Sequence, residues 1–221
     1  MYRSTWLHRF LLVSVVFILA GGISLHVLGN AEEGLKAFSV GKYEKAEALF
    51  KEVLKGDAEN VPAGYYLGLS LLMQEKFDEA LGVFRSLKVN IGDKEVMEDS
   101  RMPTRGEVEI GLARTYLGLK KYPEALKMID AAEKANAAPT EIHTYKGAYY
   151  LEINENRKAN EELQEALKLN SPNPYTYYFA GIAYLRLGNP QKAVKLFQTF
   201  LKMAPYAPEA EHAKFLVDTL C

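Results

Sequence analysis

An alanine recurs at a fixed spacing along most of the chain, and this repeat constrains the fold more than any other feature. The alanines are Ala46, Ala80, Ala125, Ala159 and Ala193, spaced by 34, 45, 34 and 34 residues. A bulky apolar residue follows each alanine by four positions, and a small residue precedes it by twelve. Three columns that stay in phase over five units indicate a repeat of 34 residues with one insertion of 11.

Each unit has the pattern of two amphipathic helices joined by a tight turn. Apolar residues recur at helical spacing before and after a short break in every unit. The break falls at Gly41 in the first unit and at Gly188 in the last. We expect the small residue of the first helix to face the alanine of the second helix. The bulky residue is then expected to fill the space between units.

These units resemble the tetratricopeptide repeat (TPR) family, a solenoid of helix–turn–helix units. The segments that carry the likeness are residues 34–50, 67–84, 112–129, 146–163 and 180–197, among them "GLKAFSVGKYEKAEALF" and "AGIAYLRLGNPQKAVKLF". Asn154 and Asn156 depart from the pattern, since they replace a turn glycine and an aromatic residue. The resemblance implies an all-α fold: a right-handed helical solenoid of about five TPR units plus a C-terminal capping helix.

The repeat and the composition of the two ends together divide the chain. The predicted segments are a leader or anchor at 1–31, units at 32–60, 61–94, 106–139, 140–173 and 174–205, a loop at 90–106, and a capping helix at 206–221. Ala210, Ala213, Leu216 and Leu220 give the capping helix an apolar face. The inserted loop is charged and lacks periodicity, so a solvated loop and a binding role are both open.

The first thirty residues have the features of a secretory signal peptide. Arg3 and Arg9 precede the apolar run Phe10–Ala20, and small residues favour cleavage after Ala31, with Ala20 to Gly22 as an alternative. A retained anchor over residues 10–28 is the other interpretation, because this stretch approaches the length of a membrane span. Both interpretations predict a bacterial protein that is periplasmic or exported. In the second it is attached to the inner membrane.

Composition and motifs argue against most kinds of chemical site. The chain has 27 basic and 28 acidic residues, so it lacks the basic excess of a nucleic-acid-binding protein. Its one cysteine, Cys221, cannot form an internal disulfide, and no zinc, haem, phosphate-loop or serine-nucleophile motif is present. We therefore predict a protein that is not an enzyme, with no cofactor, no metal site and no nucleic-acid partner.

The resemblance implies a concave groove lined by the first helix of each unit. Carried over residue by residue, the candidate partner-binding positions are Tyr65, Leu69, Met73, Ile110, Arg114, Thr144, Glu152, Tyr178, Ile182 and Arg186. The set is mainly apolar and aromatic, which favours a peptide or helix of a protein partner. These features predict an interaction scaffold or assembly factor of the bacterial cell envelope.

Two alternatives stay open at this point. A small-ligand or glycan-binding accessory protein of the cell wall would use tyrosine faces to stack on sugars. The tyrosines in question are Tyr145, Tyr149, Tyr150, Tyr175, Tyr177 and Tyr178. Packing between repeats explains the same tyrosines equally well. Self-association is the second alternative, because the open end of a solenoid can stack on another copy.

Overall fold

A computed structural model of the chain describes residues 25–91 and 102–220. These residues form eleven α-helices and no strand, which confirms the predicted all-α fold. The helices are α1 (Leu25–Ser39), α2 (Tyr43–Gly56), α3 (Val61–Leu72), α4 (Phe77–Ile91), α5 (Arg105–Gly118), α6 (Tyr122–Lys134), α7 (Pro139–Glu152), α8 (Asn156–Lys168), α9 (Pro174–Arg186), α10 (Pro190–Met203) and α11 (Ala210–Leu220).

The helices pack as five consecutive pairs, from α1 with α2 to α9 with α10, and α11 packs on α10. The first helices of neighbouring units also contact one another, so α3, α5, α7 and α9 follow each other along one side of the solenoid. We call this side the concave side. The array therefore has the five predicted units and the predicted capping helix.

Three predicted features include residues that the structure does not describe. The leader residues 1–24, the loop residues 92–101 and Cys221 lie outside them. Helix α1 begins at Leu25, inside the segment assigned to the leader, and Ala31 packs against the first core cluster. None of the described helices is long and apolar enough to cross a membrane.

The repeat columns form the core, but one expected pairing is wrong. All five column alanines are fully buried. The residue opposite the small position is the bulky one, and not the alanine. A Cβ added at Gly68 would lie 2.6 Å from Phe84, and one added at Gly181 would lie 2.6 Å from Phe197. The ring reaches across the helix pair into the space of the missing side chain. Phe84 also touches Gly111 of the next unit, so one ring fills both spaces.

In each unit a residue in the left-handed conformation follows the end of the first helix by two or three positions, and these five residues share one position of the repeat. They are Gly41, Glu75, Lys120, Asn154 and Gly188, with φ between 56° and 78°. In every unit the next N–H bonds to the carbonyl five residues earlier at 2.8–2.9 Å, as in a Schellman motif. Asn154 therefore makes the same turn as the glycines. Because three of the five residues carry a side chain, this turn does not itself require glycine.

Candidate binding site

Side chains from four consecutive units meet at the centre of the concave side. They are Tyr65 and Met73 on or just after α3, Arg114 on α5, Tyr145 on α7 and Tyr175 on α9; we call them the Arg114 cluster. The Arg114 guanidinium carbon lies 5.7 Å from the ring centre of Tyr145 and 5.4 Å from that of Tyr175, within cation–π range. Its Nη2 lies 3.9 Å from the Met73 sulfur.

Arg114 has no carboxylate within 4.0 Å in the part of the chain that the structure describes. Two acids near the cluster each bind another donor. The Glu141 carboxylate accepts from Asn173 Nδ2 at 3.1 Å, and the Glu209 carboxylate accepts from the Tyr175 hydroxyl at 2.9 Å. The guanidinium has five N–H donors, and among the described residues its side-chain contact in hydrogen-bonding range is the weak acceptor sulfur of Met73, so the cluster holds a permanent cation without a strong acceptor there.

Burial dominates the acid–base properties around Arg114. It raises the pKa of Tyr145 to about 12, although the nearby guanidinium acts in the opposite direction. Burial also raises the pKa of Tyr175, and the Glu209 carboxylate adds to that effect. The pKa of Glu141 is raised for the same reason. Burial raises the pKa of Tyr65 as well, so all three phenols of the cluster are neutral at physiological pH and offer hydroxyl groups, not charges.

Three predicted groove residues are buried in packing. Ile110 lies in a core cluster with Tyr145, and Tyr178 packs on Phe197 and Phe200. The Tyr178 hydroxyl meets His212 Nδ1 at 2.8 Å, which ties the fifth unit to the capping helix. Thr144 is also buried and is described below with its hydroxyl partners. None of the three presents a side chain to an open groove in this conformation.

The four other predicted residues lie between neighbouring units. Arg186 Nη1 donates to the Leu151 carbonyl at 2.6 Å, which satisfies a carbonyl in the last turn of α7. Glu152 is exposed and accepts from the Tyr122 hydroxyl at 3.2 Å. Leu69 and Ile182 are partly buried and pack against apolar clusters. Three of the predicted residues, Tyr65, Met73 and Arg114, thus belong to the Arg114 cluster, whereas the sequence analysis named Tyr145 and Tyr175 only for the glycan alternative.

Known proteins support the family resemblance. A family model described as tetratricopeptide repeat matches residues 32–93 and 146–208, more than half of the chain. The chain belongs to the tetratricopeptide repeat family. No curated protein sequence matches it. The family and the fold support a protein–protein interaction scaffold.

Solved structures agree in fold at low sequence identity. A thermophilic TPR protein of Thermus thermophilus is 21% identical, with a TM-score of 0.69 over 88% of this chain and 98% of that one. MamA of Desulfovibrio magneticus RS-1 is 16% identical, with a TM-score of 0.55 over 83% and 98%. The Cut9–Hcn1 hetero-tetramer of the APC/C is 14% identical, with a TM-score of 0.68 over 97% and 39%. At these identities the likeness shows the TPR fold alone.

This TPR protein has a pocket between the turns of its first two units and the residues that follow α10. The pocket has a volume of 520 Å³, and Met73 belongs both to this pocket and to the Arg114 cluster. Its lining residues are Gly41, Tyr43, Glu44, Met73, Gln74, Lys76, Tyr206 and Pro208. Tyr43 lies in the first repeat unit, three positions before Ala46, whereas Tyr206 lies outside the five predicted units. Among the described residues, no group of His, Cys, Asp or Glu side chains is arranged to hold a metal ion.

Proposed function

We propose that this TPR protein is a non-enzymatic scaffold or assembly factor of the bacterial cell envelope, and that it binds a segment of a partner protein at the Arg114 cluster. The observation that carries the proposal is the convergence of four units on one cation that has no carboxylate within 4.0 Å among the described residues. Arginine and tyrosine are the residue types most often found as binding anchors. A peptide in this position would contact several units at once, which is how a repeat array gains a specific site.

The alternative of sugar binding has less support from the geometry. The Tyr145, Tyr175 and Tyr178 rings are buried. Their hydroxyls bind Asn173, Glu209 and His212, respectively. Three of the six tyrosine faces are therefore not available to stack on a sugar in this conformation, while Tyr149, Tyr150 and Tyr177 are partly buried. The convergence of four units on Arg114 favours a protein segment as the ligand.

The test is crosslinked capture from the native host with three versions of the protein: wild type, Arg114→Met and Arg157→Met. Arg114→Met keeps most of the side-chain volume and removes the charge, and it is preferable to truncating Tyr178, which packs against the capping helix. Arg157 is exposed on α8 and serves as the matched control. Thermal unfolding by circular dichroism checks that each variant is folded.

We expect one envelope protein to be captured by wild type and by Arg157→Met, and to be lost from folded Arg114→Met. Its crosslinks should map to the first helices of the units. Capture that is equal in all three versions would overturn the proposed site.

The envelope assignment rests on the leader pattern of residues 1–31 and has its own test. The protein in fractionated host cells is analysed by intact mass. A chain starting at Glu32 in the periplasm, or an intact chain in the inner membrane, supports the assignment. An intact chain in the cytoplasm contradicts it.

A further inference from the structure

The two ends of the described solenoid touch. The Tyr43 hydroxyl, at the start of α2, donates to the Tyr206 carbonyl at 3.0 Å, although 163 positions separate the two residues. Tyr206 belongs to the loop of residues 204–209 between α10 and α11, which we call the cap loop. In a solenoid each unit ordinarily contacts only its neighbours. This hydrogen bond therefore closes the array from the first unit to the cap.

The cap loop is anchored at its other side to the fifth unit. Ala207 is buried in the same core cluster as Tyr175, and Glu209 accepts from the Tyr175 hydroxyl at 2.9 Å. The loop thus spans from Tyr43 in the first unit to a member of the Arg114 cluster. The cap loop also lines the 520 Å³ pocket described above, through Tyr206 and Pro208.

Gly41 shows that the first unit is shaped to receive Tyr206. A Cβ added at Gly41 would overlap the Tyr206 side chain, whereas one added at Gly188 would meet nothing within 4 Å. Both glycines occupy the same left-handed position of the repeat, where Glu75, Lys120 and Asn154 carry side chains. The turn accepts a side chain in other units, so the space at Gly41 is used by the cap loop.

We propose that Gly41, Tyr43 and Tyr206 form a clasp between the first unit and the cap loop, and that opening the clasp widens the pocket at Met73 into a path to the rest of the Arg114 cluster. The inference rests on the proposed function, since it concerns access to the same site. The clasp is weak enough to open: it has one hydrogen bond between a side chain and the backbone, and Tyr206 is 59% exposed. A partner that binds only the open form would shift the population toward it.

The first experiment measures the distance between the ends without any partner. Spin labels are placed at Ala48→Cys on α2 and Asp218→Cys on α11, both exposed positions, in a Cys221→Ser background of the full chain. Gly41→Asn is compared with Gly188→Asn. Asparagine already occupies this left-handed position at Asn154, so both variants carry the same small backbone strain and only the first one collides with Tyr206.

We expect one narrow distance distribution for the background and for Gly188→Asn, and a longer and broader one for Gly41→Asn. If Gly41→Asn leaves the distribution unchanged, Tyr206 does not hold the ends together. If Gly188→Asn broadens it equally, the effect is a general loosening of turns. Either result overturns the clasp.

The second experiment measures access to the cluster. Met73→Cys in the same Cys221→Ser background is combined with either Tyr43→Phe or the control Tyr122→Phe. The rate at which iodoacetamide alkylates the new cysteine is measured in each chain. Each tyrosine variant removes one hydroxyl hydrogen bond, but only Tyr43 reaches the cap loop. We expect the alkylation rate to rise roughly fivefold with Tyr43→Phe, because one ordinary hydrogen bond corresponds to about that factor in an equilibrium constant. The rate should stay constant with Tyr122→Phe.

Equal rates in the two variants would overturn the gating role. Neither experiment needs a partner, so the clasp can fail while the captured partner still depends on Arg114. Conversely, the proposed function fails if capture is independent of Arg114, even where the ends separate as expected.

Discussion

The Tyr175 hydroxyl lies 3.6 Å from the sulfur of Met73, although 102 positions separate the two residues. Tyr175 has one proton, and the Glu209 carboxylate at 2.9 Å is the stronger acceptor, so the sulfur is a packing contact. The contact joins the second unit to the fifth across the concave side. Part of the stability of this array must therefore come from interactions that skip the units in between.

Tyr175→Phe tests the hydrogen bond beside this contact, which joins the fifth unit to the cap loop. The substitution keeps the ring beside Arg114 and removes the hydroxyl that binds Glu209. We expect the free energy of unfolding in urea to fall by about 1–2 kcal/mol, as for a hydrogen bond to a charged acceptor. Tyr122→Phe, which removes an exposed hydroxyl bond to Glu152, should change it by less than about 0.5 kcal/mol. Equal losses in both variants would contradict a specific contribution of the Tyr175–Glu209 hydrogen bond.

The repeat predicted the local structure well, because each column reports contacts made within one unit or with the next. The period located all five helix pairs, and every column alanine is fully buried. The errors arise where a side chain is longer than the pattern assumes. Phe84 reaches past the alanine of its own helix to Gly68 and Gly111, and a period cannot show how far a ring extends.

The closed concave side could not be predicted from the period. Tyr206 lies outside the units and meets Tyr43 only because the whole array curves, which depends on the sum of all packing angles between units. The resemblance also placed Arg114 and Tyr178 among the residues that line an open groove. In the structure Arg114 lies between aromatic rings, and Tyr178 lies under the capping helix.

The two helical glycines Gly68 and Gly82 should respond in opposite ways to alanine. At Gly68 a Cβ would lie 2.6 Å from the fully buried Phe84 ring, so we expect a loss of about 1–3 kcal/mol in the free energy of unfolding. At Gly82 an added Cβ meets nothing within 4 Å. The higher helix propensity of alanine should therefore raise the free energy of unfolding by about 0.5–1 kcal/mol. Urea unfolding measures both; a stabilised Gly68→Ala would show that the ring can move aside.

Glu47 should make the stability depend on pH in the acid range. Burial opposes its charge, but hydrogen bonds from Lys51, Lys76 and Gln74 at 2.6–2.8 Å outweigh that effect and lower the pKa of Glu47 to about 2. An unfolded glutamate titrates near about 4.3, so the folded state binds its proton less tightly. The resulting stabilisation is complete above the unfolded pKa and is lost as the pH falls through the folded one.

Glu47→Gln is the measurement for this carboxylate. At neutral pH the free energy of unfolding of wild type should be higher than that of the variant by about 1–2 kcal/mol. The value is modest because Lys51 and Lys76 are partly exposed. The difference should shrink between roughly pH 5 and pH 2. A difference that stays constant over this range would show that the carboxylate charge is not responsible.

A chain of buried hydroxyls joins the fourth and fifth units. Thr144 donates to the Thr140 carbonyl at 2.7 Å and lies 2.6 Å from Thr176, which lies 2.8 Å from Ser171. Each hydroxyl has one proton, so the direction is fixed: Ser171 donates to Thr176, and Thr176 donates to Thr144.

Thr176→Val keeps the shape of the side chain and breaks this chain of hydroxyls in the middle, leaving the Ser171 hydroxyl without its acceptor. We expect a loss of about 1–3 kcal/mol in the free energy of unfolding, because a buried donor becomes unsatisfied. Thr199→Val is the control, since that hydroxyl bonds only within its own helix at an exposed position. Ser171→Ala alone removes the acceptor of the Asn173 N–H and gives the cost of that bond. The double variant Ser171→Ala with Thr176→Val should lose less than the sum of the two single losses, because it also removes the stranded donor. Losses that simply add would mean that the cost of Thr176→Val comes from packing and not from the unsatisfied hydroxyl.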